Sequence, residues 1–128
     1  MNENNRPLSP FMIGPYYRPQ MTSVMSITHR ATGVFLSVVG APLLLWWIIA
    51  VSEGPAAYDS LLSCLGSWIG KIGLLCVLFS LNFHLLNGVR HLIWDTGRAL
   101  EIRSAYTLGW VVLGGTVLLT IVLGGVLL

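Results

Sequence analysis

The chain has 128 residues, 55% of them hydrophobic and only 9% charged, with a formal net charge of +2; its mean hydropathy is +0.76. Soluble domains carry about a quarter of their residues charged, so this composition excludes that class and predicts an all-α membrane protein. The small charge argues for no nucleic acid as partner, and the spacing of Cys64 and Cys76 suits neither a metal nor a redox pair.

Residues 1–20 form a polar tail punctuated by Pro7, Pro10, Pro15 and Pro19. It has no apolar core and no small-residue cleavage site, so it reads as neither a secretory signal nor a helix. Nor does it resemble an Arg- and Ser-rich organelle presequence, which favours a bacterial inner membrane over an imported protein. Tyr16 and Tyr17 are interfacial anchors, and the tail is expected to lie along the membrane face or against a partner.

Residues 21–128 then read as one transmembrane domain of three helices, with spans over about 23–51, 67–94 and 105–128, each near the ~20 residues a crossing needs. Thr22 or Ser23 is the expected cap of the first helix, and Pro42 is expected to kink it. From Ser52 to Gly66 the chain, with Glu53, Gly54, Pro55, Tyr58 and Asp59, reads as a loop leading into a short interfacial turn. Gly66 and Gly70 open the second span in a GxxxG arrangement that would let another helix come close. Thr96 and Gly97 end that span. The third has no Asp, Glu, Lys, Arg or His, and Thr116, Thr120 and Gly124 give it a small-residue packing face.

Orientation follows from the cations. With the N-terminus cytoplasmic, Arg6, Arg18, Arg30, Arg90, Arg98 and Arg103 lie on or near the inner side and Lys71 alone near the outer, as the positive-inside rule requires.

The second span is the one that carries chemistry. Asn82, His84, Asn87, Arg90 and His91 lie along its second half, where an ionisable side chain costs at least about 2.5–3.5 kcal/mol on insertion scales. His84 is six residues before Arg90, or about 9 Å deeper at 1.5 Å per residue. It is either a structural histidine hydrogen-bonded to a neighbouring helix or an axial ligand of a haem iron. Gly88, at i+4 on the same face, leaves a groove in which a porphyrin would fit. His91 shares that face but is about 10.5 Å along the helix, too far to ligate the same iron. His29, at the cytoplasmic entrance of the first helix, reads as too shallow to face His84 across a haem, so a second axial histidine would come from another polypeptide. His29, Arg30, Arg90 and His91 suit haem carboxylates at the membrane edge, while the arginines alone would also serve as positive-inside anchors. Ser26 and Arg30, at i and i+4, pair a hydroxyl with a guanidinium that would hold a carbonyl of an apolar ligand; a helix-entrance serine is more often capping or solvated. Asp95 is a candidate proton relay or a solvated helix end.

Three stretches carry a resemblance: RPLSP from Arg6, RPQMTSVMSITHRATG from Arg18 to Gly33, and HLLNGVRHLIWD from His84 to Asp95. They resemble the cytochrome b anchor subunits of succinate dehydrogenase, respiratory complex II. The resemblance covers nearly the whole chain and implies a helical bundle formed with a second hydrophobic anchor subunit. It implies that His84 is one axial ligand of haem b, the other coming from that partner, with His29 and His91 near the haem carboxylates. Ser26 and Arg30 would line a ubiquinone pocket close to a docked iron–sulfur subunit, itself fed by a flavoprotein subunit that oxidises succinate. Where the family commonly has a histidine after SP, this chain has Phe11, which leaves the tail without that side chain. The competing readings are a haem-free structural anchor for a soluble partner and the anchor of a fumarate reductase; a small transporter is disfavoured because one three-helix chain offers no paired repeats or broken helices.

Overall fold

The computed structural model describes residues 19–127, so the expectations for the N-terminal tail lie almost wholly outside it. Helix α1 runs Met21–Phe35, a π-helical tract follows over Leu36–Gly40, and α2 runs Ala41–Glu53. Helix α3 is Pro55–Gly66, α4 is Trp68–Asp95 and α5 is Ile102–Leu127. The described residues contain no strand, and three helical runs are long and apolar enough to cross a membrane: Met21–Glu53, Trp68–Asp95 and Ile102–Leu127.

The first run departs from the sequence reading at its start. Gln20 occupies the N-cap with no side-chain cap bond, while Thr22 and Ser23 fall inside the first turn. Pro42 does not break the helix. Its ring would strike the carbonyl four residues back in a regular α-helix, and the chain widens into the π tract just before it, with the Ala41 N–H reaching back to the Leu36 carbonyl.

The segment read as a loop is mostly helix. Gly54, at φ 102°, ends α2 in a conformation that only glycine adopts without strain, and Pro55 begins α3 at a position where its missing N–H costs nothing. The Gly-Pro pair is thus a stop followed at once by a start, and Leu61, 1% exposed, anchors α3 to the bundle.

Within this chain, no other spanning helix packs on Gly66 or Gly70. A Cβ on Gly66 would meet nothing, whereas one on Gly70 would strike the Cys64 and Leu65 carbonyls, so Gly70 lets the end of α3 pass over the first turn of α4. Ser67 caps α4, its Oγ accepting from the Gly70 N–H at 3.1 Å.

Helix α4 lies between α1 and α5. Met25, Phe83 and Val112, one from each, form the apolar centre. Thr116 and Gly124 of the small-residue face are buried, and Asn82 Nδ2 donates to Thr120 Oγ1 at 3.1 Å, so a polar side chain in the second span finds its partner in the third. The α4–α5 turn is held by the Trp94 indole, which donates to the Ala99 carbonyl at 3.1 Å.

Candidate functional site

Two helical stripes of the same spacing approach each other at the α1–α4 contact through His29 and Gly33 on one side and His84, Gly88 and His91 on the other. Ser26, His29, Arg30 and Gly33 recur at i, i+3, i+4 and i+7 on α1; His84, Asn87, Gly88 and His91 repeat that spacing on α4. Where they meet, the His29 and His84 rings stack with centroids 3.9 Å apart and planes 9° from parallel. His29 is therefore level with His84 and not too shallow for it. The placement of α1 beside α4 brings the two rings to the same depth.

The hydrogen bonds assign the His84 tautomer. Its Nδ1 lies 3.1 Å from the His29 carbonyl and 3.3 Å from Thr32 Oγ1. The Thr32 hydroxyl already donates to that same carbonyl at 2.9 Å. A carbonyl only accepts, and a hydroxyl whose hydrogen is engaged offers its oxygen, so the proton between them belongs to His84 Nδ1. Nε2 then carries the lone pair and has no hydrogen-bond partner among the described residues. His84 thus uses one ring nitrogen within the protein and leaves the other without a protein partner.

The stacked partner leaves that lone pair open. An imidazole lone pair lies in the ring plane, and His29 covers a ring face. For the same reason the two histidines cannot ligate one iron from opposite sides, because stacked rings do not direct their nitrogens at each other. Gly33, which the sequence reading passed over, makes the arrangement possible: a Cβ there would come within 2.9 Å of His84 Cε1. A Cβ on Gly88 would only touch His29 Cε1 at 4.0 Å, so the space beside Gly88 is bordered by the His29 ring.

His91 meets His29 edge-on at 5.3 Å and Trp94 likewise at 5.3 Å. Arg90, by contrast, does not enter the histidine cluster as expected. It is 2% exposed, its Nη2 donates to the Ala105 carbonyl of α5 at 2.9 Å, and its guanidinium lies 4.0 Å over the Trp94 ring. Its hydrogen-bonded link to the cluster is Asn87, whose Oδ1 accepts from Nη1 at 3.4 Å and whose Nδ2 lies 3.3 Å from His91 Nε2. A guanidinium in a spanning segment needs internal acceptors, and α5 supplies the nearest.

Ser26 is half-buried and Arg30 exposed, each without a hydrogen-bond partner among the described residues. An apolar cleft of ≈ 470 Å³ opens beside Met21, Met25, Phe83, Tyr106 and Trp110, and neither Ser26 nor Arg30 lines it.

The chain matches the family model described as succinate dehydrogenase/fumarate reductase transmembrane subunit over residues 2–123. It is 42% identical over 120 residues to the succinate dehydrogenase cytochrome b556 subunit of Rickettsia prowazekii, covering 94% of this chain and 91% of the relative. It is 37% identical over 121 residues to the protein of the same name from Paracoccus denitrificans, with the same coverage of both chains. A mitochondrial succinate dehydrogenase cytochrome B subunit of Schizosaccharomyces pombe is 32% identical over 118 residues, covering 89% of this chain and 64% of the relative.

Proposed function

The chain belongs to the succinate dehydrogenase/fumarate reductase transmembrane subunit family, and we propose that it is the cytochrome b anchor of a succinate:quinone oxidoreductase. It holds one side of a haem b and one wall of the site where ubiquinone is reduced. Membership makes it part of a multi-pass membrane oxidoreductase complex, with the dehydrogenase chemistry proper in other subunits. Electrons from succinate reach it through a flavoprotein subunit and an iron–sulfur subunit. The N-terminus is cytoplasmic, since that orientation puts Arg30, Arg90, Arg98 and Arg103 inside and Lys71 outside, and the membrane is the bacterial inner membrane.

The observation that carries this reading is His84 Nε2, unprotonated, unpartnered and set in the plane of a ring that the His29 carbonyl and Gly33 hold in place. The residues present fit a haem. His84 Nε2 would hold the haem iron from this chain, and a second hydrophobic anchor subunit would supply the other protein ligand, since the His29 ring lies stacked on His84 instead of across from it. A haem held by these residues would supply a one-electron carrier. His29 keeps an unpartnered buried Nδ1 that suits a haem carboxylate, and His91 borders the same edge. Gly88 keeps the adjoining surface low, and Arg90 acts on that edge through Asn87.

Ser26 and Arg30 continue the same stripe toward the cytoplasmic face, where their donors hold the quinone carbonyl oxygens. A quinone taking two electrons also takes two protons. A guanidinium beside a carbonyl oxygen stabilises the negative charge that develops before each proton arrives, and a position near the surface keeps water within reach.

A second reading has its own observation: stacking on His29 and bonding to its carbonyl are also what a structural histidine would do in a haem-free anchor. The reduced-minus-oxidised spectrum of the purified complex separates the two. A b-type band that is lost in His84→Ala supports the cytochrome, and a complex with no such band leaves only the tether.

A further inference from the structure

Arg90 and Asn87 form a chain of directed hydrogen bonds that ends on His91. Arg90 Nη2 donates to the Ala105 carbonyl at 2.9 Å, Arg90 Nη1 donates to Asn87 Oδ1 at 3.4 Å, and Asn87 Nδ2 lies 3.3 Å from His91 Nε2. Each link has only one possible sense. A guanidinium donates and never accepts, so the amide atom facing it is the oxygen. The other end of the amide is then NH2, a pure donor, and the ring nitrogen facing it must accept. Asn87 is 0% exposed and Arg90 2%, so bulk solvent does not compete for either side chain.

We propose that Asn87 is a positioning residue that, oriented by Arg90, fixes the tautomer of His91: Nε2 is the acceptor, and the proton resides on Nδ1. That nitrogen has no partner among the described residues, and the His91 ring is only half-buried, so its N–H is available to a ligand. The site therefore offers an N–H donor to an oxygen acceptor, a carboxylate or a carbonyl, and presents no lone pair that would repel one. The identity of that acceptor as a haem carboxylate rests on the function proposed above; the tautomer does not.

The arrangement also explains why a guanidinium is kept among apolar side chains without touching the histidine cluster. Tethered to α5 through the Ala105 carbonyl and to α4 through Asn87, Arg90 acts as a fixed reference for the amide. A lysine there could not bridge both acceptors with the same planar geometry.

The test is the imidazole 15N spectrum of the assembled complex in lipid, grown on 15N-labelled histidine, with the His91 signals taken as the difference from His91→Gln. In the wild type, His91 Nε2 should resonate as an unprotonated nitrogen and Nδ1 as a protonated one. In Asn87→Asp the carboxylate accepts from both neighbours, so the proton should move and the two signals should exchange character. In Asn87→Leu, which orders nothing, a mixture of tautomers is expected. A protonated Nε2 in the wild type, or an unchanged tautomer in Asn87→Asp, overturns the proposal. The wild-type spectrum alone decides should either variant fail to assemble. Haem content is recorded on the same samples, so the expected tautomer in a haem-free complex would overturn the cytochrome assignment and leave this inference standing.

Discussion

The rings of His29 and His84 are stacked 3.9 Å apart although the residues are 55 positions apart in the chain. The contact is locked from both sides: the His29 carbonyl holds His84 Nδ1, and Gly33 gives the His84 ring the room it needs. Two neighbouring turns of α1 therefore determine which nitrogen of an α4 histidine is left over.

The first consequence concerns the glycines. Gly33→Ala places a methyl 2.9 Å from His84 Cε1, and the ring cannot yield without losing its bond to the His29 carbonyl. Overpacking of this kind costs about 1–3 kcal/mol. Gly88→Ala meets only an ordinary contact at 4.0 Å and should stay within about 0.5 kcal/mol of wild type. Thermal melts of the purified complex check the difference in stability, and haem content should fall in the Gly33 variant first. Equal effects of the two substitutions would contradict the arrangement.

The stripe on α1 makes a separate prediction. Arg30→Ala should lower quinone reduction by about a hundredfold or more if its charge stabilises the reacting oxygen. Ser26→Ala, which removes one neutral hydrogen bond, should cost about tenfold. Both variants should keep the b-type absorbance, because neither side chain touches His84. Steady-state assays with succinate and a soluble quinone measure this, and normal quinone kinetics in the Arg30 variant would remove it from the site.

Between α4 and α5, Asn82 and Thr120 form an interhelical hydrogen bond at 3.1 Å. Bonds of this type in membranes contribute about 0.6–2 kcal/mol. Asn82→Leu and Thr120→Val should each lower the melting temperature of the extracted complex, and the double variant should be less destabilised than the sum of the two. Strict additivity would show that the pair does not interact.

Much of this architecture is legible in the order of residues. Hydropathy separates the spans, and the polar residues of the second span single out α4 as the helix with chemistry. The same spacing argument that puts His84 beside Gly88 also puts Ser26 beside Arg30. What it cannot supply is the relative placement of two helices. His29 was judged shallow from its distance to the helix start, yet α1 is set so that it meets His84 face to face. Arg90 looks like a cation aimed at the cluster, and only the position of the Ala105 carbonyl turns it toward α5. Gly54 and Pro55 show a local limit of another kind, since the same dipeptide marks a loop or a helix end joined directly to a helix start. Gly33 had a usable signal, a residue without a side chain four positions after a histidine on the facing stripe.

The most direct test of the central claim is the axial ligation of iron by His84. Low-temperature electron paramagnetic resonance of the oxidised complex, together with its reduced-minus-oxidised absorbance, reads it in one preparation. The wild type should give the low-spin signal of an iron between two imidazoles. His84→Ala should lose that signal and retain less haem, while the other subunits still assemble. An unchanged low-spin signal in His84→Ala, or a wild-type complex with no b-type haem, would contradict the account.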